Sequence, residues 1–247
     1  MTIFNPNSEA FLNDEKGPGL LVSIIIPAFN EEKNLGSVLA ELRRYAELVK
    51  MENEIIVVDD GSVDKTKEIA TKNGAKVLIN KTNQGKGYSL KCGFECAKGE
   101  IVVTMDGDGS HDPKDIGKLV LPVLNGTDIA VGSRFNTKEG RKTTTPVNLF
   151  GNRLISIFFL IITGSIITDS QSGFRAYKSK VLKKIVVTSN RFEVETELTL
   201  KPIMSGFSLQ EIPIFVRKRR SGISHVNPIK DGLRIIKQMI LLVTIYN

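Results

Sequence analysis

Three runs of apolar, largely β-branched residues each end in a short polar loop, and that pattern leaves the chain few folds to adopt. Leu20-Leu21-Val22-Ser23-Ile24-Ile25-Ile26 runs into Pro27-Ala28-Phe29-Asn30-Glu31-Glu32. Glu54-Ile55-Ile56-Val57-Val58 runs into Asp59-Asp60-Gly61-Ser62, and Val102-Val103-Thr104-Met105 into Asp106-Gly107-Asp108-Gly109-Ser110. Helical periodicity fills the intervals. Glu32 to Met51 sets Leu35, Val38, Leu39, Leu42 and Tyr45 on one stripe, and shorter patterns cover Asp64 to Asn73 and Lys86 to Lys98. Further strands are read at Ala75-Lys76-Val77-Leu78-Ile79 and Asp128-Ile129-Ala130-Val131-Gly132. The alternation predicts an α/β fold built on a mostly parallel sheet with helices on both faces.

Such sheets bind ligands at their strand ends, which is where the acidic loops fall. On extended backbone, positions i and i+2 face the same side, so Asp106 and Asp108 can both turn their oxygens to one hard divalent cation. An isolated Asp-Gly-Asp is also a good turn with solvated acids. Convergence of three such strand ends favours the metal reading. Asn83-Gln84-Gly85-Lys86-Gly87 places a lysine at a helix start among glycines, where charge and free N–H groups can meet phosphate. Surface lysines at helix starts are common, so this signal is weak by itself.

The 247 residues suit one large domain, read as 20–226, with an N-terminal extension at 1–19 and an apolar C-terminal segment at 227–247. Lysine and arginine number 34 against 27 acidic residues, and the net charge of +7 favours anionic partners. Nucleic acid is the weaker candidate, because no recognisable module is present and aromatics make up only 6% of the chain. Cys92 and Cys96, with only two histidines in the chain, read as reduced thiols in the cytosol rather than a zinc site. Residues 1–19 lack both a basic n-region and an apolar h-region, so no secretory signal is expected there. No G-x-G-x-x-G follows the first strand, which disfavours a dinucleotide-dependent dehydrogenase.

Taken together, Ile25-Ile26-Pro27-Ala28-Phe29-Asn30-Glu31-Glu32, Val58-Asp59-Asp60-Gly61-Ser62, Asn83-Gln84-Gly85-Lys86-Gly87, Met105-Asp106-Gly107-Asp108 and Gly132-Ser133-Arg134-Phe135 resemble the family 2 glycosyltransferases. The dolichyl-phosphate mannose synthase branch is the most similar. The resemblance implies the GT-A fold, an inverting transfer of a sugar from a nucleotide donor, and Mg²⁺ or Mn²⁺ at Asp106 and Asp108. It puts Pro27, Phe29 and Glu31 at the mouth of the nucleotide pocket and Lys86 near the donor phosphates. Asp59 and Asp60 would supply a second nucleotide contact, one directly and the other as support, without indicating which. Ser110 stands where a glutamine often serves as a further metal ligand. Arg134, Arg153, Ser156 and Arg175 fall on the acceptor-phosphate side. Asp169-Ser170-Gln171-Ser172-Gly173-Phe174-Arg175 matches a D-x-x-S-G-F-R segment, with Asp169 among the catalytic candidates. Arg219-Arg220-Ser221-Gly222-Ile223-Ser224 resembles an R-x-x-G-x-S loop that closes over the site, Arg219 toward the donor and Arg220 toward the acceptor. His225 replaces the lysine usual after that loop.

The implied reaction moves a hexose to a dolichyl or polyprenyl phosphate at the cytosolic membrane face. GDP-mannose is the leading donor, with UDP-glucose or UDP-N-acetylglucosamine as alternatives. Two apolar stretches, Leu154 to Ile167 and Ile235 to Tyr246, are read as membrane-surface elements beside a phosphate site. If they are ordinary core helices, a soluble or polysaccharide acceptor becomes the better reading, with Asp169 as a working base. A catalytically silent membrane-binding scaffold is a third reading, opposed by the intact Asp106 and Asp108. The second stretch closes the chain, which leaves a continuation into transmembrane helices open. The sequence does not indicate the oligomeric state.

Overall fold

The computed structural model describes residues 20–136, 146–217, 219, 221 and 228–246. In chain order these form β1 (Val22–Ala28), α1 (Leu35–Leu48), β2 (Asn53–Asp59), α2 (Thr66–Lys72), β3 (Lys76–Ile79), α3 (Lys86–Cys96) and β4 (Ile101–Thr104). A 3₁₀ turn at Pro113–Asp115 leads into α4 (Ile116–Leu124), then β5 (Ile129–Ser133), α5 (Pro146–Thr163), β6 (Arg175–Lys178) and α6 (Ser179–Lys184). The chain continues through α7 (Val194–Met204), β7 (Leu209–Pro213) and α8 (Pro228–Tyr246).

The seven strands form one sheet in the order β3-β2-β1-β4-β6-β5-β7. Every pairing is parallel except those of β6, which runs against both β4 and β5. Strand order reverses between β1 and β4, so a crevice opens at their carboxyl ends. The reversed β6 matters to that crevice. Arg175 pairs with Thr104 near the end of β4 and with Val131 in β5, so the segment before β6 lies at the same edge as the loops that follow the parallel strands.

Alternate residues of β1 serve opposite faces, as a doubly covered strand requires. Ile24 and Ile26 pack with Leu35, Leu39, Leu42, Ile116 and Leu119, whereas Ile25 packs with Leu90, Val194 and Leu198. The stripe expected on α1 is buried in full. On the other face, a Cβ placed on Gly93 would lie 2.5 Å from Ile25 Cγ2, so α3 approaches β1 closely at a residue with no side chain. That contact fixes the helix whose first residue is Lys86.

A third apolar cluster joins α5, α7 and α8 through Ile155, Phe159, Leu200, Ile235, Met239 and Leu242. The two apolar stretches therefore divide their faces. One side of each is core, while Leu154, Ile157, Phe158, Leu160 and Ile161 on α5 and Leu233, Ile240 and Leu241 on α8 are exposed. Among the described residues, no helix is long and apolar enough to cross a membrane.

Candidate active site

The loop after β1 is braced from the far end of the chain. Glu31 accepts from Asn34 Nδ2 at 2.6 Å and pairs with Arg219, and Asn34 Nδ2 also donates to the Ser221 carbonyl at 3.1 Å. Burial pushes the Glu31 carboxyl above its usual range, more than Asn34 and Arg219 pull it down. Phe29 is half-buried just after β1, and Pro27 pairs with Val58 in the sheet. Both therefore stand beside the loop carrying Asp59 and Asp60.

Those two aspartates have different duties. Asp60 Oδ1 accepts from Asn80 Nδ2 at 2.7 Å and from the Gln84 N–H at 3.0 Å, and Oδ2 accepts from the Gly85 N–H at 2.7 Å. Both oxygens are used to hold the turn that begins α3, a supporting duty for Asp60. Asp59 Oδ1 accepts from the Ser62 N–H at 3.0 Å and shapes the loop beyond β2.

The Asp106-Gly107-Asp108 loop is held from three directions. Lys86 Nζ lies 2.6 Å from Asp106 Oδ1 and 2.7 Å from Glu195 Oε1, within a largely buried group. The Asp106 N–H donates to His111 Nδ1 at 3.2 Å, and the imidazole stacks on Phe174 with centroids 4.8 Å apart. The Arg217 N–H donates to the Ser110 carbonyl at 2.8 Å, while its guanidinium bridges Asp112 and Glu41. Burial alone would raise the Asp106 pKa, yet the ammonium of Lys86 foremost, with the guanidinium of Arg134 behind it, holds it well below the usual carboxylate range. Burial likewise opposes the charge on Lys86, but Asp106 and Glu195 outweigh it and push its pKa above the ordinary lysine value. For His111, burial prevails over Asp106 and Asp108 and lowers the pKa. A neutral ring using Nδ1 as an acceptor and stacked on Phe174 is a structural support for the loop.

Asp108 Oδ1 accepts from the Ser110 N–H at 2.9 Å, and Oδ2 lies 3.7 Å from Arg219 Nη1. Arg219 thus links the first loop to the acidic one. Among the described residues, no group of three or more His, Cys, Asp or Glu side chains is arranged as a metal cage. Two carboxylates on a glycine-containing loop suit a hard cation that takes its remaining ligands from phosphate oxygens and water. Ser110 contributes its N–H and carbonyl to shaping the loop.

Beside the loop after β5, Asp169 is fully buried and receives Arg134 as a fork. Oδ2 accepts from the Arg134 N–H at 2.9 Å and from Nε at 2.7 Å, and Oδ1 accepts from Nη2 at 2.7 Å. Glu211 of β7 accepts from the Thr168 and Asp169 N–H groups at 2.9 and 2.7 Å and so fixes the backbone beneath that pair. Asn152 of α5 donates to the Thr168 carbonyl. Arg153 is exposed one residue further on, and half-buried Ser156 donates to the Asn152 carbonyl at 3.0 Å.

Arg175 departs from its expected place on the acceptor phosphate. Its side chain is fully buried, donating from Nε to the Ser172 carbonyl at 2.6 Å, from Nη1 to Thr199 Oγ1 at 2.8 Å and from Nη2 to the Ser170 carbonyl at 2.5 Å. It also lies 3.6 Å from Glu195. The guanidinium braces the 170–172 turn from beneath and presents no donor to the crevice. Arg220, Gly222 to Ser224 and His225 lie outside the described residues.

Sequence reading missed Glu195, which pairs with Lys86, and Glu211, which fixes the backbone at Thr168 and Asp169. The alternating acids of Glu193-Val194-Glu195-Thr196-Glu197 at the start of α7 were the available signal for the first.

A family model described as glycosyl transferase family 2 matches residues 23–186. A dolichyl-phosphate hexose transferase of Haloferax volcanii is 31% identical, the match covering 89% of this chain and 92% of the relative. A polyprenol monophosphomannose synthase of Mycolicibacterium smegmatis is also 31% identical, over 83% and 80%. A UDP-N-acetylglucosamine–dolichyl-phosphate N-acetylglucosaminyltransferase of Methanococcus voltae is 29% identical, over 90% and 96%. Among solved structures, glucosyl-3-phosphoglycerate synthase of Mycobacterium tuberculosis, in complex with Mn²⁺, UDP-glucose and phosphoglyceric acid, superposes with a TM-score of 0.73. That match covers 92% of this chain and 80% of the other at 22% identity, and shows a shared GT-A fold. The family match runs from the first strand through the acidic loop to the reversed β6, the elements that assemble the crevice, and the chain is a member of glycosyl transferase family 2, a glycosyltransferase.

Proposed function

We propose that this glycosyltransferase moves a hexose, with inversion, from a nucleotide sugar to a dolichyl or polyprenyl phosphate at the cytosolic face of a membrane. GDP-mannose is the leading donor. The observation that carries the reading is the Arg134–Asp169 fork. A hydroxyl acceptor needs a carboxylate to take its proton, and Asp169 has both oxygens engaged by a guanidinium. A phosphate monoester arrives already anionic, so it needs charge and orientation instead. Arg134 is held in one direction by the bond it makes, and Arg153 stands exposed near the same turn.

The donor would sit against Pro27, Phe29, Glu31 and Asp59, with Lys86 and Arg219 toward its diphosphate. Mg²⁺ or Mn²⁺ bound by Asp106 and Asp108, with Ser110 beside them, would neutralise charge on the departing nucleoside diphosphate. The named relatives acting on dolichyl or polyprenol phosphates support the acceptor class, and the Mn²⁺ complex of the structural neighbour supports the metal. Because one of those relatives uses UDP-N-acetylglucosamine, a UDP-sugar donor is the alternative to be tested beside GDP-mannose. The deciding assay incubates the protein with polyprenyl phosphate, Mn²⁺ and a panel of nucleotide sugars, and identifies the lipid product by mass. Transfer to soluble acceptors with none to lipid phosphate would overturn the reading.

The exposed apolar faces of α5 and α8 support a lipid surface. Arg153, Arg234 and Lys237 are exposed on the same two helices, so the patch carries cations with its apolar residues. The chain is expected to bind vesicles containing anionic lipid at low salt and to release them as ionic strength rises, read by flotation or sedimentation. Ile161→Glu with Leu241→Glu should abolish that binding without lowering the thermal midpoint, since both side chains are exposed. Retained binding by the double variant would place the membrane contact elsewhere.

A further inference from the structure

Lys86 is the cation of a site that the proposed reaction also requires a divalent ion to enter. Its ammonium spans Asp106 Oδ1 and Glu195 Oε1 at 2.6 and 2.7 Å, and its side chain is 15% exposed. The fit is close on a third side. A Cβ built on Gly173 would lie 2.5 Å from Nζ and 3.0 Å from Asp106 Oδ1, so the glycine leaves room for the pair in this position. Without this lysine, buried Glu195 would face half-buried Asp106 with less countercharge between the two carboxylates, an unfavourable arrangement. The lysine's backbone is anchored independently. Asp60 holds the Gly85 N–H, and α3 packs on β1 through Gly93, so the stem can swing while its base stays in place.

An ammonium and a divalent cation on one carboxylate repel each other across a poorly screened distance. Binding of the ion therefore requires the lysine to yield.

We propose that Lys86 is a built-in counter-cation. It keeps the acidic loop assembled before the donor binds, then gives up Asp106 to the divalent ion and turns its ammonium to the donor diphosphate. The inference rests on the metal-dependent transfer proposed above and adds to it an exchange of cations, which makes metal and nucleotide binding mutually reinforcing. The exchange breaks the Lys86–Asp106 ion pair and replaces it with coordination of the divalent ion, and no covalent bond is made or broken.

The test uses the full chain and two variants, Lys86→Gln and Lys86→Met, with Mn²⁺ alone and GDP or UDP in excess Mn²⁺ as probes, followed by calorimetry. Loss of the lysine should tighten binding of Mn²⁺ alone by about tenfold or more, because a competing charge is gone. It should weaken nucleoside diphosphate binding by a similar factor, because a phosphate contact is gone. These opposite signs identify the exchange. Mn²⁺ binding unchanged or weakened in both variants, while the wild type binds Mn²⁺, overturns the counter-cation role. Unchanged nucleotide binding overturns the turn toward the diphosphate. If the wild type binds no Mn²⁺ with or without nucleotide, the metal reading itself fails, which is a separate result. Thermal midpoints guard against misfolding. The variants should melt lower than wild type without metal and recover more than wild type with saturating Mn²⁺, whereas a deficit that Mn²⁺ does not repair marks a merely structural lysine and overturns the proposal.

Discussion

Asp108→Asn is expected to lower turnover by more than about a hundredfold at saturating metal while leaving the fold intact. The asparagine keeps an oxygen able to accept the Ser110 N–H, so the loop retains its 2.9 Å internal bond. What it loses is the negative charge. Arg219, whose Nη1 lies 3.7 Å from Asp108, also pairs with Glu31 through Nη2 and does not depend on Asp108 for its position. Stability should therefore change little, and a thermal midpoint near that of wild type would show that the loss is chemical. A neutral amide is a poorer ligand than a carboxylate for a hard cation, and no third acidic side chain among the described residues can take its place. Turnover within about tenfold of wild type would remove Asp108 from the metal site and, with it, the charge neutralisation assigned to this loop.

The features that were legible in the sequence are those whose cause is local. Asp106 and Asp108 follow a four-residue buried strand, Lys86 follows a glycine at a helix start, and the α1 stripe repeats at helical spacing; each can be read within one element. What was illegible depends on contacts between distant elements. Strand β6 is Arg175-Ala176-Tyr177-Lys178, and β7 is Leu209-Gln210-Glu211-Ile212-Pro213, neither with the β-branched run that marked β1 and β2. Without β6, nothing in the chain tells that Asp169 and Gly173 arrive at the crevice from the opposite direction. The same gap explains Arg175. An arginine closing a Ser-Gly-Phe-Arg run looks like a phosphate ligand until the strand it begins is known to bury it against Thr199 and Glu195. Asp59 and Asp60 could not be told apart because their difference lies in the turn at Asn80, Gln84 and Gly85, more than one element away. For α5 and α8 the composition was plain but the division of faces was not, because which side meets α7 is set by packing.

The proposed acceptor half of the site makes the other large prediction, and the buried fork dictates which variants can test it. Arg134→Ala would leave Asp169 charged, fully buried and without its guanidinium, a loss that costs about 3–5 kcal/mol where a buried pair is broken from one side. Such a variant measures folding before it measures catalysis. Asp169→Asn is the better probe. It removes the charge that opposes burial and keeps nearly the same volume, but its amide nitrogen must face one of the Arg134 donors now at 2.7 Å, so the fork opens. With its direction lost, Arg134 should hold acceptor phosphate less well, and the specificity constant for lipid phosphate should fall by about ten- to a hundredfold, the equivalent of a charge-assisted bond of about 1.5–3 kcal/mol. Arg153→Ala tests the exposed partner, with an effect of the same kind and no expected cost to stability. In both variants the affinity for nucleoside diphosphate should stay within about twofold of wild type, if the affected side chains serve the proposed acceptor rather than the donor. Asp169 as a general base predicts a different pattern. Turnover would then collapse for Asn at every acceptor concentration and become strongly dependent on pH, with little change in the concentration of lipid phosphate needed for half-maximal rate. A rise in that concentration with nucleotide binding preserved identifies an orienting pair, and equal losses toward donor and acceptor would place Arg134 and Arg153 away from the acceptor phosphate altogether.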